Sequence, residues 1–286
     1  MSKITFCMLA FNSDHVLRPV LRALKPYGEI VCAEGPVDYW QRQGFRTSTD
    51  DTRDILRDEI GDHNVIHGQW REKDEMQTAI EPLIPDDTTH VWLCDADEVM
   101  PPELFAFILP RLDEIDSAAF RCHSFYGDFH TVLTGFEADY SATRIQRWYK
   151  GAQWATHRPP TVNAPDGQPW AKHRHLDGAQ CPRYFHYSQV FPSQMQAKCR
   201  YYGDRGGMVT EYWEQVYVPW LLGNGMKKRQ IQEWYQGLHT HRWSRNLGVC
   251  YAVPATVDHP AIMRPLLPEL EARLALEVAE VKLCAS

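Results

Sequence analysis

Hydrophobic positions in the first 126 residues fall into short runs separated by stretches of helical spacing. Residues 4–11 (ITFCMLAF) and 29–33 (EIVCA) are apolar or β-branched runs of strand length. Between them Val16, Leu17, Val20, Leu21 and Leu24 recur at the three- and four-residue intervals of a helix, ended by Pro26 and Gly28. Strand, helix, strand predicts a parallel sheet with covering helices. The alternation continues. Residues 50–60 and 71–83 read as helices with the short strand HNVIHG between them. Residues 90–94 (HVWLC) form the almost wholly apolar strand expected at the buried centre of such a sheet. Pro101 and Pro102 open a helix through Leu109, and 117–126 (SAAFRCHSFY) reads as one further strand.

From residue 127 the pattern changes. Aromatic and basic residues crowd together in RIQRWYKGAQW, PRYFHYSQVF and HTHRWSRN without a sustained period, which predicts a loop-rich layer. Residues 261–283 return to amphipathic helical spacing, interrupted near Pro265 and Pro268. The expected organisation is a part over 1–126, a second over 127–250 and a helical tail over 251–286, sharing one continuous domain. No apolar run approaches the roughly 18 residues of a membrane span. The opening MSKITFCMLAFNSD is broken by Asn12 and Asp14, so it reads as a first strand rather than a signal peptide, and a cytoplasmic protein is expected.

Charge changes this picture more than composition does. The formal net charge of −7 hides an asymmetry: residues 1–140 hold 12 basic against 26 acidic side chains, residues 141–250 hold 15 against 6. An acidic part suits metal and nucleotide chemistry, and a basic part suits phosphates or a polyanion. The eight cysteines contain no C-x-x-C pair, which points to buried reduced thiols rather than a disulfide framework or a zinc site.

The segment HVWLCDADEVMPPE bears the most chemistry. A buried strand ends and at once delivers Asp95, Asp97 and Glu98 at its carboxyl edge, where open α/β sheets bind ligands. Asp95 and Asp97 can share one hard divalent cation, Mn²⁺ or Mg²⁺, with substrate phosphates completing the shell. The same residues also suit a solvated turn before a capped helix.

Taken together, an opening strand ending in Phe11-Asn12, a second strand closing on Glu34 (VCAEG), the W-x-x-K segment Trp70 to Lys73 and the D-A-D-E strand end resemble one known family. It is the family-2-like glycosyltransferases of the GT-A fold, in their bacterial or phage form, and the match covers residues 3–110. The resemblance implies a Rossmann-like mixed α/β sheet with helices on both faces, a loop-rich aromatic and basic acceptor region, and a C-terminal helix. It implies a metal-dependent transfer from a nucleoside-diphosphate sugar, a UDP-sugar in the first instance. Asn12 and Glu34 would line the base pocket, Lys73 would lie near the diphosphate, Asp95 would face ribose and metal, and Asp97 would ligate the metal. The family commonly has Asp at the Glu34 position, which leaves the base open. Residues 183–202 (RYFHYSQVFPSQMQAKCRYY) resemble a later family segment, which implies that His186 completes the metal shell. His186 also reads as a core histidine. Lys198 reads either as a cation for the departing diphosphate or as part of a solvated helix face.

Transfer to a hydroxyl needs a carboxylate to take its proton. Asp128 (FYGDF) and Asp177 (HLDG) are the candidates, and each is equally a turn former. The basic balance of 141–250 favours an anionic acceptor: a hydroxymethylated base in DNA, reached by base flipping, ahead of a bacterial surface glycan. Arg144, Arg147, Lys227, Lys228 and Arg229 are the expected polyanion contacts. A nucleotidyltransferase would show an early Gly-rich basic signature, which residues 8–25 lack. A nucleic-acid-binding protein without catalysis would leave the D-A-D-E strand end unexplained. The His-rich spots at 172–175 and 239–241 lack partner ligands for zinc and read as surface loops.

Overall fold

The computed structural model describes residues 2–158, 160–167, 174–204, 212–223 and 250–285. The chain begins β1 (Ile4–Ala10), α1 (Asp14–Leu24), β2 (Glu29–Glu34), α2 (Asp38–Arg42), α3 (Thr52–Ile60), β3 (Val65–His67) and α4 (Lys73–Ala79). It continues with β4 (His90–Asp95), β5 (Glu98–Val99), α5 (Pro102–Ile108), β6 (Ser117–Phe120), β7 (Cys122–Tyr126), β8 (Thr131–Gly135), α6 (Phe136–Asp139) and β9 (Ala142–Arg147). Then follow β10 (Gln153–Thr156), β11 (Thr161–Asn163), β12 (His175–Leu176), β13 (Tyr184–Gln189), α7 (Pro192–Asp204), β14 (Cys250–Pro254) and a final helix, Leu267–Ala285. These elements form two compact units, one of residues 1–121 with 141–184, the other of 122–140 with 185–286.

The first unit is an α/β sheet of seven strands in the order β12-β6-β9-β4-β1-β2-β3. Strands β4, β1, β2 and β3 are parallel, as the strand–helix alternation predicts, and β9 runs antiparallel between β4 and β6. The centre is dry on both faces: Phe6, Val31, Val91 and Trp92 are fully buried. Trp92 anchors an aromatic core, with ring centroids 5.6 Å from Phe6, 5.2 Å from Phe105 and 5.1 Å from Phe120. Register then fixes the edge. Ala10 lies opposite Glu34 and Leu9 opposite Asp95, so the loops after β1, β2 and β4 leave the sheet at one level.

Residues 117–126 are not one strand. The run breaks at Arg121, which donates from Nε to Ser141 Oγ at 3.4 Å, and the chain passes from β6 in the first unit to β7 in the second. An apolar run records burial but not the sheet that supplies it. The stretch after 127 is also more regular than its mixed periodicity predicts. In the second unit β14, β8, β7 and β13 lie side by side in that order, and α7 spans 13 residues. Aromatics expected on a loop-rich surface fill a core of Tyr126, Met195, Tyr212, Val216 and Tyr217. Their hydroxyls are satisfied: Tyr217 Oη donates to the Val190 carbonyl at 2.8 Å, and Tyr126 and Tyr212 share a bond at 3.1 Å. Five cysteines (Cys7, Cys32, Cys94, Cys122 and Cys199) are buried free thiols, while Cys284 is exposed.

Gly35 closes the end of β2. Its φ is +143°, and a Cβ there would lie 1.9 Å from the Gly68 carbonyl oxygen. Gly35→Ala should therefore cost about 1–3 kcal/mol of stability, read as a lower denaturant midpoint. An unchanged midpoint would show that the 68–70 backbone yields freely.

Candidate functional site

The site begins where β1 and β2 end. Asn12 has a φ of +46°, a left-handed conformation that asparagine tolerates. Its amide donates to Ser48 Oγ at 3.0 Å, and its Oδ1 accepts from the Thr49 amide at 2.8 Å. Glu34 is buried, and it accepts from the Ser48 amide at 3.1 Å and from His67 Nδ1 at 3.0 Å. The 48–49 loop thus joins Asn12 to Glu34, the two residues expected together at a base pocket. Phe11, Trp40 and Phe45 form a half-buried aromatic group beside them in the chain, with centroids 5.6 to 5.8 Å apart.

One strand over, β4 ends on Asp95 and β5 begins on Glu98. Glu98 is wholly buried and accepts from Arg144 through both Nε, at 3.1 Å, and Nη2. It also accepts the Asp95 amide at 3.2 Å, which pins the turn holding Asp97. Arg144 comes from the inserted strand β9 and reaches Asp95 Oδ2 at 3.4 Å. Arg158 closes on the same oxygen from the loop after β10. Burial alone would raise the Asp95 carboxyl. Arg158 and Arg144, helped by His157 and by Lys73 at the start of α4, hold it well below the ordinary carboxylate range.

Arg158 is placed by a frame on α4. The His157 amide donates to Asp74 Oδ1 at 2.6 Å, and its Nδ1–H donates to Gln77 Oε1 at 2.9 Å. Two residues before β10 ends, the Trp154 amide donates to Glu81 Oε1 at 2.8 Å. Burial, with Arg158 and Lys73 nearby, pushes the His157 imidazole down to about 3, so it is neutral at physiological pH.

These residues do not fit a resident divalent ion. The Asp95 carboxylate sits between two guanidinium groups, and a cation placed there meets their repulsion before it meets a lone pair. Among the described residues no three of His, Cys, Asp and Glu are grouped to hold a metal. Asp97 is partly buried in the β4–β5 turn.

The remaining expected residues are dispersed. Asp177 caps the short 3₁₀ turn Gly178–Gln180, its Oδ1 accepting the Ala179 amide at 2.8 Å. Asp128 lies in the second unit, where it accepts the His130 amide at 2.8 Å and Thr131 Oγ1 at 3.2 Å. His186 is partly buried on β13 and Lys198 partly buried on α7, both in the second unit. Arg144 and Arg147 do not form a polyanion-binding face. Arg144 is buried against Glu98, and Arg147 Nε donates to Asp116 Oδ1 at 2.8 Å. Lys150, Arg158 and Arg174 pair likewise with Asp86, Asp95 and Asp116. Lys227, Lys228, Arg229 and the histidines at 239 and 241 lie outside the described residues, as do Lys172 and His173.

Arg158, His157 and Gln77 were not singled out by sequence, and Glu98 was named only as part of the D-A-D-E strand end. Arg158 stands 63 residues from its partner Asp95, beyond any spacing rule, and its one local signal is a polar His-Arg pair before Pro159-Pro160.

No family model and no curated protein matches the chain. Among solved structures, S. aureus TarS 1–349 is similar at 13% identity and a TM-score of 0.41, over 98% of this chain and 89% of that one. Glucosyl-3-phosphoglycerate synthase from Mycobacterium tuberculosis, in complex with Mn²⁺, UDP and glucosyl-3-phosphoglycerate, is similar at 14% identity and 0.35, over 92% of each chain. A 4-diphosphocytidyl-2C-methyl-D-erythritol synthase from Anaerococcus prevotii is similar at 14% identity and 0.32, over 51% of this chain and 70% of that one. Likeness at this level leaves function to the residues themselves.

The depressed His157 has a stability consequence with a definite sign. The unfolded chain takes up a proton near 6.5 and the folded chain only near 3, so the stabilisation is complete above 6.5 and is lost as pH falls toward 3. Between pH 6.5 and 4 this amounts to on the order of 3 kcal/mol. Thermal unfolding followed over that range should fall less steeply in His157→Gln than in the native chain; equal slopes would mean that His157 is protonated at its ordinary pKa.

Proposed function

We propose that the chain is a glycosyltransferase that moves a sugar from a nucleoside-diphosphate donor, a UDP-sugar, to a saccharide hydroxyl. The observation that supports this reading is the common level of Asn12, Glu34 and Asp95 at the carboxyl edge of three adjacent parallel strands. That edge is where open α/β sheets take nucleotides. Glu34 offers a buried carboxylate to the imide N–H of uracil, and Asp97 accepts from hydroxyls of the donor sugar. In the reaction the bond from C1 of the sugar to the diphosphate oxygen breaks, its electron pair leaving with the diphosphate. The acceptor oxygen bonds to C1 and gives its proton to a carboxylate, for which Asp177 of the same unit is the candidate.

A saccharide is preferred to DNA as acceptor because the basic excess of 141–250 is in part consumed internally. Arg144, Arg147, Lys150, Arg158 and Arg174 all pair with acids from the first 140 residues. Arg144 and Arg147, the two most buried of the five, do not offer a duplex the phosphate contacts that drive nucleic-acid binding.

Incubation with UDP-hexoses and either oligosaccharides or hydroxymethylated duplex DNA, followed by mass spectrometry, tests the reading. The expected product is a hexosylated oligosaccharide. Asp97→Ala should lower transfer by about 100-fold or more while thermal unfolding stays that of the native chain. Asp177→Asn should remove transfer and leave donor binding intact. Hexose found on DNA alone would overturn the acceptor, and no transfer from any sugar nucleotide would overturn the activity.

A further inference from the structure

We propose that Arg158 and Lys73 hold the diphosphate of the donor, with Asp95 as their fixed counter-ion, and that donor binding needs no divalent cation. This rests on the reading of the chain as a user of nucleoside-diphosphate donors and goes beyond it in saying what meets the diphosphate charge.

The two arginines at Asp95 are not equivalent. Arg144 is 4% exposed and gives Nε and Nη2 to Glu98, so its charge is matched inside the protein. Arg158 is 46% exposed and pairs with Asp95. It is the guanidinium that a ligand at the edge meets first. Its fork can turn from a carboxylate to a diphosphate without loss of hydrogen bonds, since both present paired anionic oxygens.

Lys73 is held on the same frame. It is the first residue of α4, and the residue before Arg158 is tied to Asp74 and Gln77 of that helix by bonds of 2.6 and 2.9 Å. Trp154, on β10 before that loop, is tied to Glu81 just beyond the helix at 2.8 Å. The backbone segments that carry the ammonium and the guanidinium are therefore tied to one another. His157, between the frame and Arg158, has its Nδ1 committed to Gln77.

Asp95 is needed as counter-ion because Arg144, Arg158 and Lys73 would otherwise repel one another at the strand end. The same three cations disfavour a divalent ion at that carboxylate. Fixed cations aimed at a leaving diphosphate supply the electrostatic stabilisation that a bridging ion supplies elsewhere.

Calorimetric titration of the whole chain with UDP, in EDTA and separately in Mn²⁺, tests the proposal. The expected result is binding in EDTA with an affinity within about threefold of that in Mn²⁺, and a loss of about tenfold or more in Arg158→Ala under both conditions. Arg158→Lys should recover part of the loss, and Lys73→Met should weaken binding in the same direction. Binding of UDP in Mn²⁺ but not in EDTA would overturn the proposal, as would Arg158→Ala that binds Mn²⁺ and UDP more tightly than the native chain. Circular dichroism and thermal unfolding of each variant separate lost contacts from lost fold. Inorganic pyrophosphate distinguishes the two readings: if it binds in EDTA while UDP, ADP, GDP and CDP do not, the cation site stands and the nucleotide donor falls. No binding of any of these ligands under either condition overturns both.

Discussion

The buried ion pair between Glu98 and Arg144 is the constraint on which the strand-end site depends. Glu98 has no exposed surface and Arg144 almost none, so neither charge has water to fall back on. Breaking such a pair from one side costs about 3–5 kcal/mol, because the remaining charge is left uncompensated. The pair holds together two parts of the chain that nothing in local sequence joins: the tight β4–β5 turn and the antiparallel strand β9. With Arg144 fixed, Asp95 gains a neighbour it cannot avoid, and with Glu98 fixed, the Asp95 amide is fixed too. The geometry of the edge follows from a salt bridge that touches no ligand.

Charge asymmetry along the chain acquires a structural explanation from the same contacts. The acidic first 140 residues and the basic next 110 are complementary, and the basic segment threads back into the acidic sheet as β9 and β12. Asp95, Glu98 and Asp116 each receive arginines from it. Without the arginines at Asp95 and Glu98 the carboxyl edge would carry unopposed negative charges, an unsuitable surface for a diphosphate. Asymmetry by halves therefore reports assembly of one unit from two segments as readily as it reports a polyanionic partner.

Much of the first unit was legible in the sequence because its strands are buried on both faces and its helices on one. HVWLC, ITFCMLAF and the Val16-to-Leu24 stripe can be satisfied only by a covered parallel sheet, and the structure places β4, β1 and α1 there. Asp95 was legible for the same reason, since the apolar run of β4 stops there, whereas Asn12 and Glu34 came from the family resemblance of their strand ends. Arg121 was not legible as a boundary, because an apolar run on either side of it looks continuous until two sheets claim its halves. Nor were the partners of Asp95. Arg158 and His157 owe their place to hydrogen bonds with α4, and such bonds join residues about 80 positions apart with no periodic trace. Burial has a period in sequence, and polar pairing at long range has none.

The division between Arg144 and Arg158 follows from where each backbone sits. Arg144 is on a strand flanked by β4 and β6, so its side chain is fixed by the sheet, and its cation serves the fold. Arg158 is on a loop, held from behind through His157 but with nearly half its side chain in solvent. A charge that must turn from a resting partner to an arriving one needs such an anchor, firm at the backbone and open at the tip. Neutral His157 completes the arrangement: a charged imidazole beside Arg158 and Lys73 would add repulsion within the frame, and burial against Gln77 removes it. One carboxylate can therefore stay ionised at the strand end with a guanidinium held in reach, because the imidazole behind that guanidinium adds no charge of its own.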